Sequence, residues 1–225
     1  MDVKCHNAKR HTILAHRGIW KKTSEQNSRE AIVRAATNGF SLEIDLRDQL
    51  GEIVLSHNPA EGSPLRFEKV LTILSEKSFS GVLGLNVKSD GLVPLVSEYR
   101  DLLAAIDYFF FDMSFPESRR YKHAGYPVAR RRSEFEHGSC DLFRVSRGEV
   151  SNVWVDSFET DWWLNLDADD IAPRDSRCFF VSPELHGRDP EKAWHRIREL
   201  YKEGRQIGIC TDRPEEFSNF LGGDS

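Results

Sequence analysis

Histidine, acidic, basic and amide residues recur in the first ninety positions of the chain, each within or directly after a short apolar run. They are His16 and Arg17, Glu43 and Asp45, His57, and Asn86 and Lys88. Two imidazoles can divide acid–base catalysis, because a neutral ring removes a proton and a protonated ring donates one. Arginine and lysine can hold the non-bridging oxygens of a phosphate. These residue types together favour phosphodiester cleavage, whereas structural hydrogen bonds and ion pairs are the alternative for each residue taken alone.

The acidic pair indicates a bound cation. Glu43 and Asp45 are separated by Ile44, and residues two apart on a strand point to the same face. If that face is buried, the two carboxylates repel each other and lose solvation unless a positive charge is present. Mg²⁺ or Ca²⁺ is the simplest such charge, because both ions prefer oxygen ligands. The alternative is a solvent-facing pair on the edge of a sheet.

Nine short runs of apolar, β-branched or aromatic residues alternate with amphipathic segments, which is typical of βα units around a parallel sheet. The runs are residues 12–15, 41–46, 53–56, 82–87, 108–113, 127–129, 153–155, 178–181 and 207–211. A closed TIM-type (β/α)8 barrel needs eight strands, and the sequence before the third run, Asp48 to Gly51, favours a hairpin turn. We therefore predict a compact α/β barrel with a short hairpin after its second strand. In such a barrel, polar residues at the carboxyl ends of the strands converge at one mouth.

Helix-capping signals occur between these runs. Asn27 is the expected N-cap of a helix over residues 28–38, with Glu30 in the capping-box position and Gly39 as the left-handed end. Two further helix starts are predicted at Ser63-Pro64, for residues 65–74, and at Asp189-Pro190, for residues 191–203.

Bulk composition excludes several classes of protein. The 225 residues carry a net charge of −5 and no basic run longer than residues 130–132, so a nucleic-acid-binding surface is not expected. The four cysteines form no zinc-binding spacing and are predicted to be isolated thiols. No internal repeat or flexible linker divides the chain, so one domain over residues 1–225 is expected. Without an apolar signal-peptide core or membrane-spanning run, we expect a soluble cytoplasmic protein.

Taken in order, the motifs resemble the glycerophosphodiester phosphodiesterase family of TIM-barrel enzymes, whose pattern is H-R-G, E-N-T, E-x-D, H-D, E-x-K and a final T-D-x-P. The matching segments are His16-Arg17-Gly18, in part Gln26-Asn27-Ser28, Glu43-Ile44-Asp45, His57, and Thr211-Asp212-Arg213-Pro214. The resemblance spans nearly the whole chain and is densest between residues 12 and 90. It implies a divalent-cation-dependent phosphoric diester hydrolase with a role in lipid metabolism. It also implies a catalytic role for His16 and His57, metal binding by Glu43 and Asp45, and phosphate binding by Arg17 and Lys88.

Three positions depart from the family pattern. Asn86 stands where the family has a third metal carboxylate, and an amide contributes no negative charge. Glu184 follows a late strand and is the candidate replacement ligand, with a water-facing loop acid as the alternative. Asn58 replaces the aspartate after the second histidine, and Gln26 replaces a glutamate. Further strand-terminal acids that could complete the site are Asp112 and Asp156.

Two kinds of substrate fit the implied chemistry, a small phosphodiester and a glycerol-phosphate polymer. The polymer stays open because aromatic residues in the later segment could stack on a sugar, although ordinary packing is the alternative. They are Trp154, Phe158, Trp162 and Trp163. The substitution at Asn86 motivates a second hypothesis, a non-catalytic barrel that binds a phosphorylated ligand or a protein partner. The sequence does not indicate the oligomeric state.

Overall fold

Eight parallel strands wind into a barrel in the computed structural model of the chain, which describes residues 11–136 and 152–223. With the hairpin strand included, the strands are β1 (Thr12–His16), β2 (Ser41–Gln49), β3 (Glu52–Leu55), β4 (Val82–Val87), β5 (Asp107–Phe111), β6 (Ala129–Arg132), β7 (Asn152–Val155), β8 (Arg177–Val181) and β9 (Gln206–Thr211). The order around the sheet is β5-β4-β2-β1-β9-β8-β7-β6. The two ends of this order meet at a single bridge, where the Phe110 amide donates to the Pro127 carbonyl at 2.9 Å. The predicted barrel is therefore confirmed as a nearly closed one.

The third strand is the accessory hairpin that the sequence predicts. β3 pairs antiparallel with β2, and Gln49 faces Glu52 across the turn. Leu50 and Gly51 both have positive φ, of 52° and 83°. Two consecutive residues with positive φ give the turn a twist that matches the right-handed twist of the flanking strands.

Helices cover the outside of the barrel. Among the described residues they are α1 (Arg29–Thr37), α2 (Phe67–Glu76), α3 (Val93–Ser97), α4 (Arg100–Leu103), α5 (Phe115–His123), α6 (Ala168–Ile171), α7 (Glu191–Lys202) and α8 (Pro214–Gly222). None of them combines the length and hydrophobicity needed to cross a lipid bilayer.

Two predicted helix starts need correction. Ser28, not Asn27, caps α1, because its hydroxyl accepts the Ala31 amide hydrogen at 3.2 Å. Asn27 has a φ of 58° and turns its side chain into the barrel instead. The second helix begins at Phe67 rather than residue 65, because the Leu65 carbonyl accepts a hydrogen bond from Leu55 in β3.

Other predicted helix ends are confirmed. Gly39, directly after α1, has a φ of 75°, and its amide donates to the Ala36 carbonyl. The Asp189 carboxylate accepts the first amide hydrogen of α7, from Glu191, at 3.0 Å.

Aromatic side chains close the inside of the barrel beneath its carboxyl-terminal mouth. Phe111 of β5 and Trp154 of β7 stack with ring centroids 4.0 Å apart, and Phe109 lies 4.5 Å from Phe179 of β8. Gly208 of β9 makes room for them, since a Cβ atom there would lie 2.5 Å from a ring carbon of Phe179. Because these rings fill the interior, polar side chains can lie only above them, at the carboxyl ends of the strands.

Candidate active site

Charged side chains form a ring around the carboxyl-terminal mouth of the barrel. Along each strand the side chains alternate between interior and exterior, so a residue two positions beyond a buried interior one, such as His16 beyond Leu14 or Asp212 beyond Cys210, points into the mouth. The ring contains His16 at the end of β1 and Arg17 after it, Glu43 and Asp45 on β2, Lys88 after β4, Asp112 after β5, Arg131 on β6, Asp156 after β7, Glu184 after β8 and Asp212 after β9. All eight strands of the barrel contribute to it.

The acidic pair of β2 points inward, as the catalytic hypothesis requires. Glu43 and Asp45 are 1% and 0% exposed. Glu43 is the register partner of His16, and its Oε2 lies 3.9 Å from His16 Nε2 and 3.3 Å from the Arg17 amide nitrogen, which donates to it. The solvent-facing alternative for this pair is thereby excluded.

Burial changes the proton affinity of Glu43. Loss of solvation raises the pKa of this carboxyl, and the neighbouring Asp45 raises it further. His16, Arg17 and Lys88 oppose the rise with their positive charge. An additional positive charge at this place would favour the ionised form.

Asp45 is held by three neighbours. Asn27 donates from its side-chain amide to Asp45 Oδ2 at 2.9 Å and accepts the Asp45 backbone amide hydrogen at 3.3 Å. Arg17 Nε lies 2.7 Å from the same Oδ2, and Lys88 Nζ lies 3.6 Å from Oδ1. The two basic residues that the sequence assigns to phosphate binding therefore converge on one buried carboxylate.

A chain of ion pairs extends from Lys88 across the seam between β5 and β6. Lys88 Nζ donates to Asp112 Oδ2 at 3.0 Å, and Arg131 donates to the other oxygen of Asp112. Arg131 also contacts Glu136 through two hydrogen bonds, of 2.7 and 3.0 Å. Asp112, a strand-terminal acid that the sequence singled out, thus positions a phosphate-binding candidate.

His16 is oriented by a carboxylate from the far end of the chain. Its Nδ1 lies 2.7 Å from Asp212 Oδ1. Because a carboxylate only accepts hydrogen bonds, Nδ1 carries the proton and Nε2 faces the acidic pair. Sequence comparison placed Asp212 in a matching motif but gave it no role; its position directly after the last strand was the available signal.

His57 lies at the same end of the barrel but is not drawn into the ring. It follows β3, next to Ser56, whose amide donates to the Asp45 carbonyl at 3.3 Å. Its ring is exposed, and its Nδ1 contacts Asn58 Oδ1 at 2.9 Å. Asn58 therefore orients the ring as an aspartate would, without the charge.

Two neighbouring oxygens of the site have no hydrogen-bond donor among residues 11–136 and 152–223. They are Asp45 Oδ1 and Asn86 Oδ1, both buried, on residues paired in register between β2 and β4. Oxygen donors of this kind suit a hard cation such as Mg²⁺ or Ca²⁺. Glu43 lies on the same face of β2, two residues before Asp45. In the described part of the chain, no group of three or more His, Cys, Asp or Glu residues has an arrangement suited to a metal ion. Asn86 lies outside those residue types, so the fitting set is two carboxylates and an amide.

Glu184 belongs to a different part of the ring. Its Oε1 accepts hydrogen bonds from the Thr211 hydroxyl and, at 3.2 Å, from the Asp212 amide, while Ser182 donates to Oε2. These contacts tie Glu184 to the residue that orients His16. No hydrogen bond or ion pair joins Glu184 to Glu43 or Asp45 among the described residues, so its assignment as a third metal ligand stays a prediction.

The aromatic residues of the later segment have mostly packing roles. Trp154 and Trp163 are buried, at 4% and 0% exposure, and Trp162 donates its indole hydrogen to the Asp156 carbonyl at 2.8 Å. Phe158 is different, because 37% of it is exposed at the mouth.

A separate cavity lies at the opposite end of the barrel. It has a volume of about 670 Å³ and is lined by the beginnings of β1, β2 and β4, with Thr12, Ser41 and Val82 among the lining residues. None of the predicted site residues lines it.

Comparison with solved structures finds the same fold in glycerophosphodiester phosphodiesterases. A Galdieria sulphuraria protein described as a candidate member of that class has a TM-score of 0.69 at 17% identity, over 95% of this chain and 98% of that one. The Thermotoga maritima glycerophosphodiester phosphodiesterase gives 0.61 at 18% identity, over 94% and 98%. A phosphodiesterase of Oleispira antarctica, solved with the product sn-glycerol-3-phosphate, gives 0.65 at 14% identity, over 94% and 96%. No family model matches the chain, and no curated protein matches its sequence.

Proposed function

We propose that this chain is a metal-dependent phosphodiesterase that hydrolyses a glycerophosphodiester or a closely related phosphodiester. The observation that carries the proposal is the convergence of an oriented imidazole, two buried carboxylates and two cations at one barrel mouth. His16 Nε2 lies 3.9 Å from Glu43, and Arg17 and Lys88 both contact Asp45. The fold shared with glycerophosphodiester phosphodiesterases, one of them holding a glycerol phosphate product, supports the same conclusion.

The phosphate is held by the basic residues of the site. Arg17 and Lys88 approach Asp45 from two sides, so a phosphate above this carboxylate would meet both cations. Asp112 holds Lys88 in place, and Gln26 accepts a hydrogen bond from the Arg17 guanidinium at 3.0 Å. Fixed cations favour the transition state, because they need not reorganise as charge develops on the phosphate oxygens.

The two histidines divide proton transfer. One ring takes the proton of the attacking hydroxyl or water as the new P–O bond forms, and the other gives a proton to the departing alkoxide as the old bond breaks. Both His16 and His57 engage Nδ1 with a side-chain oxygen, which leaves Nε2 for this task. Each proton transfer of this kind accelerates reactions by about 10² to 10⁴-fold.

A divalent cation fits the carboxylate side of the site. Glu43, Asp45 and Asn86 would hold it, and Glu184 is proposed as a further ligand. Bound there, a cation would neutralise negative charge developing on the phosphate. A cytoplasmic role in lipid metabolism belongs to the same proposal.

The direct test is hydrolysis of glycerophosphoglycerol, followed as release of glycerol 3-phosphate. We expect activity with Mg²⁺ or Ca²⁺ and its loss in EDTA. His16→Ala should lower kcat/KM by about 10²-fold or more. The matched control is His123→Ala, because this histidine is exposed at the end of α5, away from the mouth. Activity that survives both EDTA and His16→Ala would refute the mechanism.

The second candidate function is a non-catalytic barrel that binds a phosphorylated ligand or a protein partner. It is motivated by Asn86, whose amide removes one negative charge from the cation site. Absence of hydrolysis with any phosphodiester, together with saturable binding of glycerol 3-phosphate by calorimetry, would favour this alternative.

A further inference from the structure

A second imidazole–carboxylate pair lies across the mouth from His16. His186 Nε2 is 2.8 Å from Asp156 Oδ1. Asp156 follows β7, which is four positions from β2 in the strand order, so the pair occupies the half of the mouth opposite the acidic pair. The phosphate-binding half and this half would therefore contact different parts of one substrate.

The pair is built rigidly. Asp156 is 8% exposed, and its Oδ1 also accepts the Ser157 amide hydrogen at 2.8 Å. His186 ends a short 3-10 turn that also carries Glu184, which the Asp212 amide contacts. This turn therefore links the second pair to the residue that orients His16.

The aromatic neighbour of the pair is also fixed. Arg188 donates to the carbonyls of Ser157 and Phe158 at 2.7 and 3.0 Å. The Glu134 carboxylate accepts the Phe158 amide hydrogen at 3.1 Å and two further amide hydrogens of the same loop. These bonds fix the backbone of Phe158, whose ring centroid lies 5.3 Å from that of His186.

The free groups of this half define a ligand chemistry. In the neutral tautomer that donates from Nε2 to the Asp156 carboxylate, His186 Nδ1 is a hydrogen-bond acceptor, and no partner for it occurs among the described residues. The exposed Phe158 ring offers an apolar face beside this acceptor. Arg131 already lies over that ring, 5.6 Å from its centroid, which disfavours a cationic group there. A carbon skeleton bearing a hydroxyl satisfies both the acceptor and the apolar face.

We propose that His186, positioned by Asp156, and Phe158 form a subsite for a hydroxyl-bearing alcohol group of the substrate. The inference rests on the proposed phosphodiesterase function and extends it to substrate choice. The substrate hydroxyl donates a hydrogen bond to His186 Nδ1, and Phe158 covers the carbon chain. The preferred leaving group is thus a neutral polyol rather than a quaternary amine.

The test compares two substrates that share the glycerol phosphate unit, glycerophosphoglycerol and glycerophosphopropanol. The second substrate has the same leaving carbon chain without its hydroxyls. We expect the wild-type protein to favour glycerophosphoglycerol by about tenfold or more in kcat/KM, because a site built around a hydrogen bond discriminates against the analogue that lacks it. Equal kcat/KM values of the wild-type protein for the two substrates would overturn the proposed subsite. This result does not depend on whether a variant folds.

A variant series assigns the preference to the proposed residues. His186→Phe should lower kcat/KM for glycerophosphoglycerol by about tenfold and leave glycerophosphopropanol within about twofold. His123→Phe is the matched control and should change neither. An equal loss on both substrates, or an unchanged preference, would overturn the assignment. If the wild-type protein hydrolyses neither substrate, the proposed function itself fails, which is a result distinct from hydrolysis without preference.

Discussion

Replacing Asp212 by alanine would remove the carboxylate that orients His16 while leaving the imidazole in place. The Nδ1–Oδ1 distance of 2.7 Å is that of a charge-assisted hydrogen bond. Such bonds contribute about 1.5–3 kcal/mol, and about 1.4 kcal/mol corresponds to a tenfold change in rate. Since His16 and Asp212 are 14% and 24% exposed at their side chains, the lower half of that range applies. We expect kcat to fall by about 10- to 40-fold.

The assay must separate positioning from simple destabilisation. Steady-state kinetics should show the loss in kcat with KM nearly unchanged, and the Nδ1 proton resonance of His16 should disappear from the proton NMR spectrum. The matched control is Asp107→Ala, which breaks a 2.6 Å ion pair with Arg177 at the opposite end of the barrel. The reasoning is refuted if Asp212→Ala retains full kcat, or if its loss of activity only parallels a lowered melting temperature.

Three further changes probe the site and the barrel that carries it. Because burial raises the pKa of Glu43 above its ordinary value of 4.5, the folded state binds that proton more tightly and loses stability as pH rises. Glu43→Gln should therefore stabilise the metal-free protein by a margin that grows with pH, which melting curves in EDTA between about pH 4 and pH 8 would measure; a margin that shrinks contradicts it. Asn86→Asp should lower the Mg²⁺ or Ca²⁺ concentration for half-maximal activity by about tenfold, because it adds a negative charge to the cation site; an unchanged titration would remove Asn86 from it. Gly208→Ala should cost about 1–3 kcal/mol in urea unfolding, since its Cβ would overlap the Phe179 ring; Gly222→Ala is the control and should not destabilise, because a Cβ there meets no atom.

Strand positions were predictable because each strand carries its own local signal. All nine predicted runs coincide with strands, within two residues at each end except at the ends of β2 and β6, which extend three residues further. The hairpin after β2 was recognised from the segment Asp48 to Gly51. The helix starts were less accurate. Ser28 and Asn27 are both good capping residues, and only the tertiary contact of Asn27 with Asp45 decides between them.

In the candidate site, too, residues in local motifs were predictable, whereas their partners from distant parts of the sequence were not. Glu43, Asp45, Arg17 and Lys88 lie within one stretch of sequence, and the structure brings them together with His16. The partners that orient His16 and Lys88 could not be assigned, because Asp212 is 196 residues from His16 and Asp112 is 24 from Lys88. The roles of His57 and Glu184 and the single domain over residues 1–225 stay predictions.

The pairing of β1 with β9 places the two ends of the barrel sequence side by side in the middle of the sheet. A ribosome adding about 5–20 residues per second needs about 10–40 s to travel from His16 to Asp212. Throughout that interval the edge of β1 that β9 will cover has no native neighbour. The nascent chain must therefore complete the mouth that holds the candidate site last, and a chain arrested before β9 should be readily cut by protease near His16.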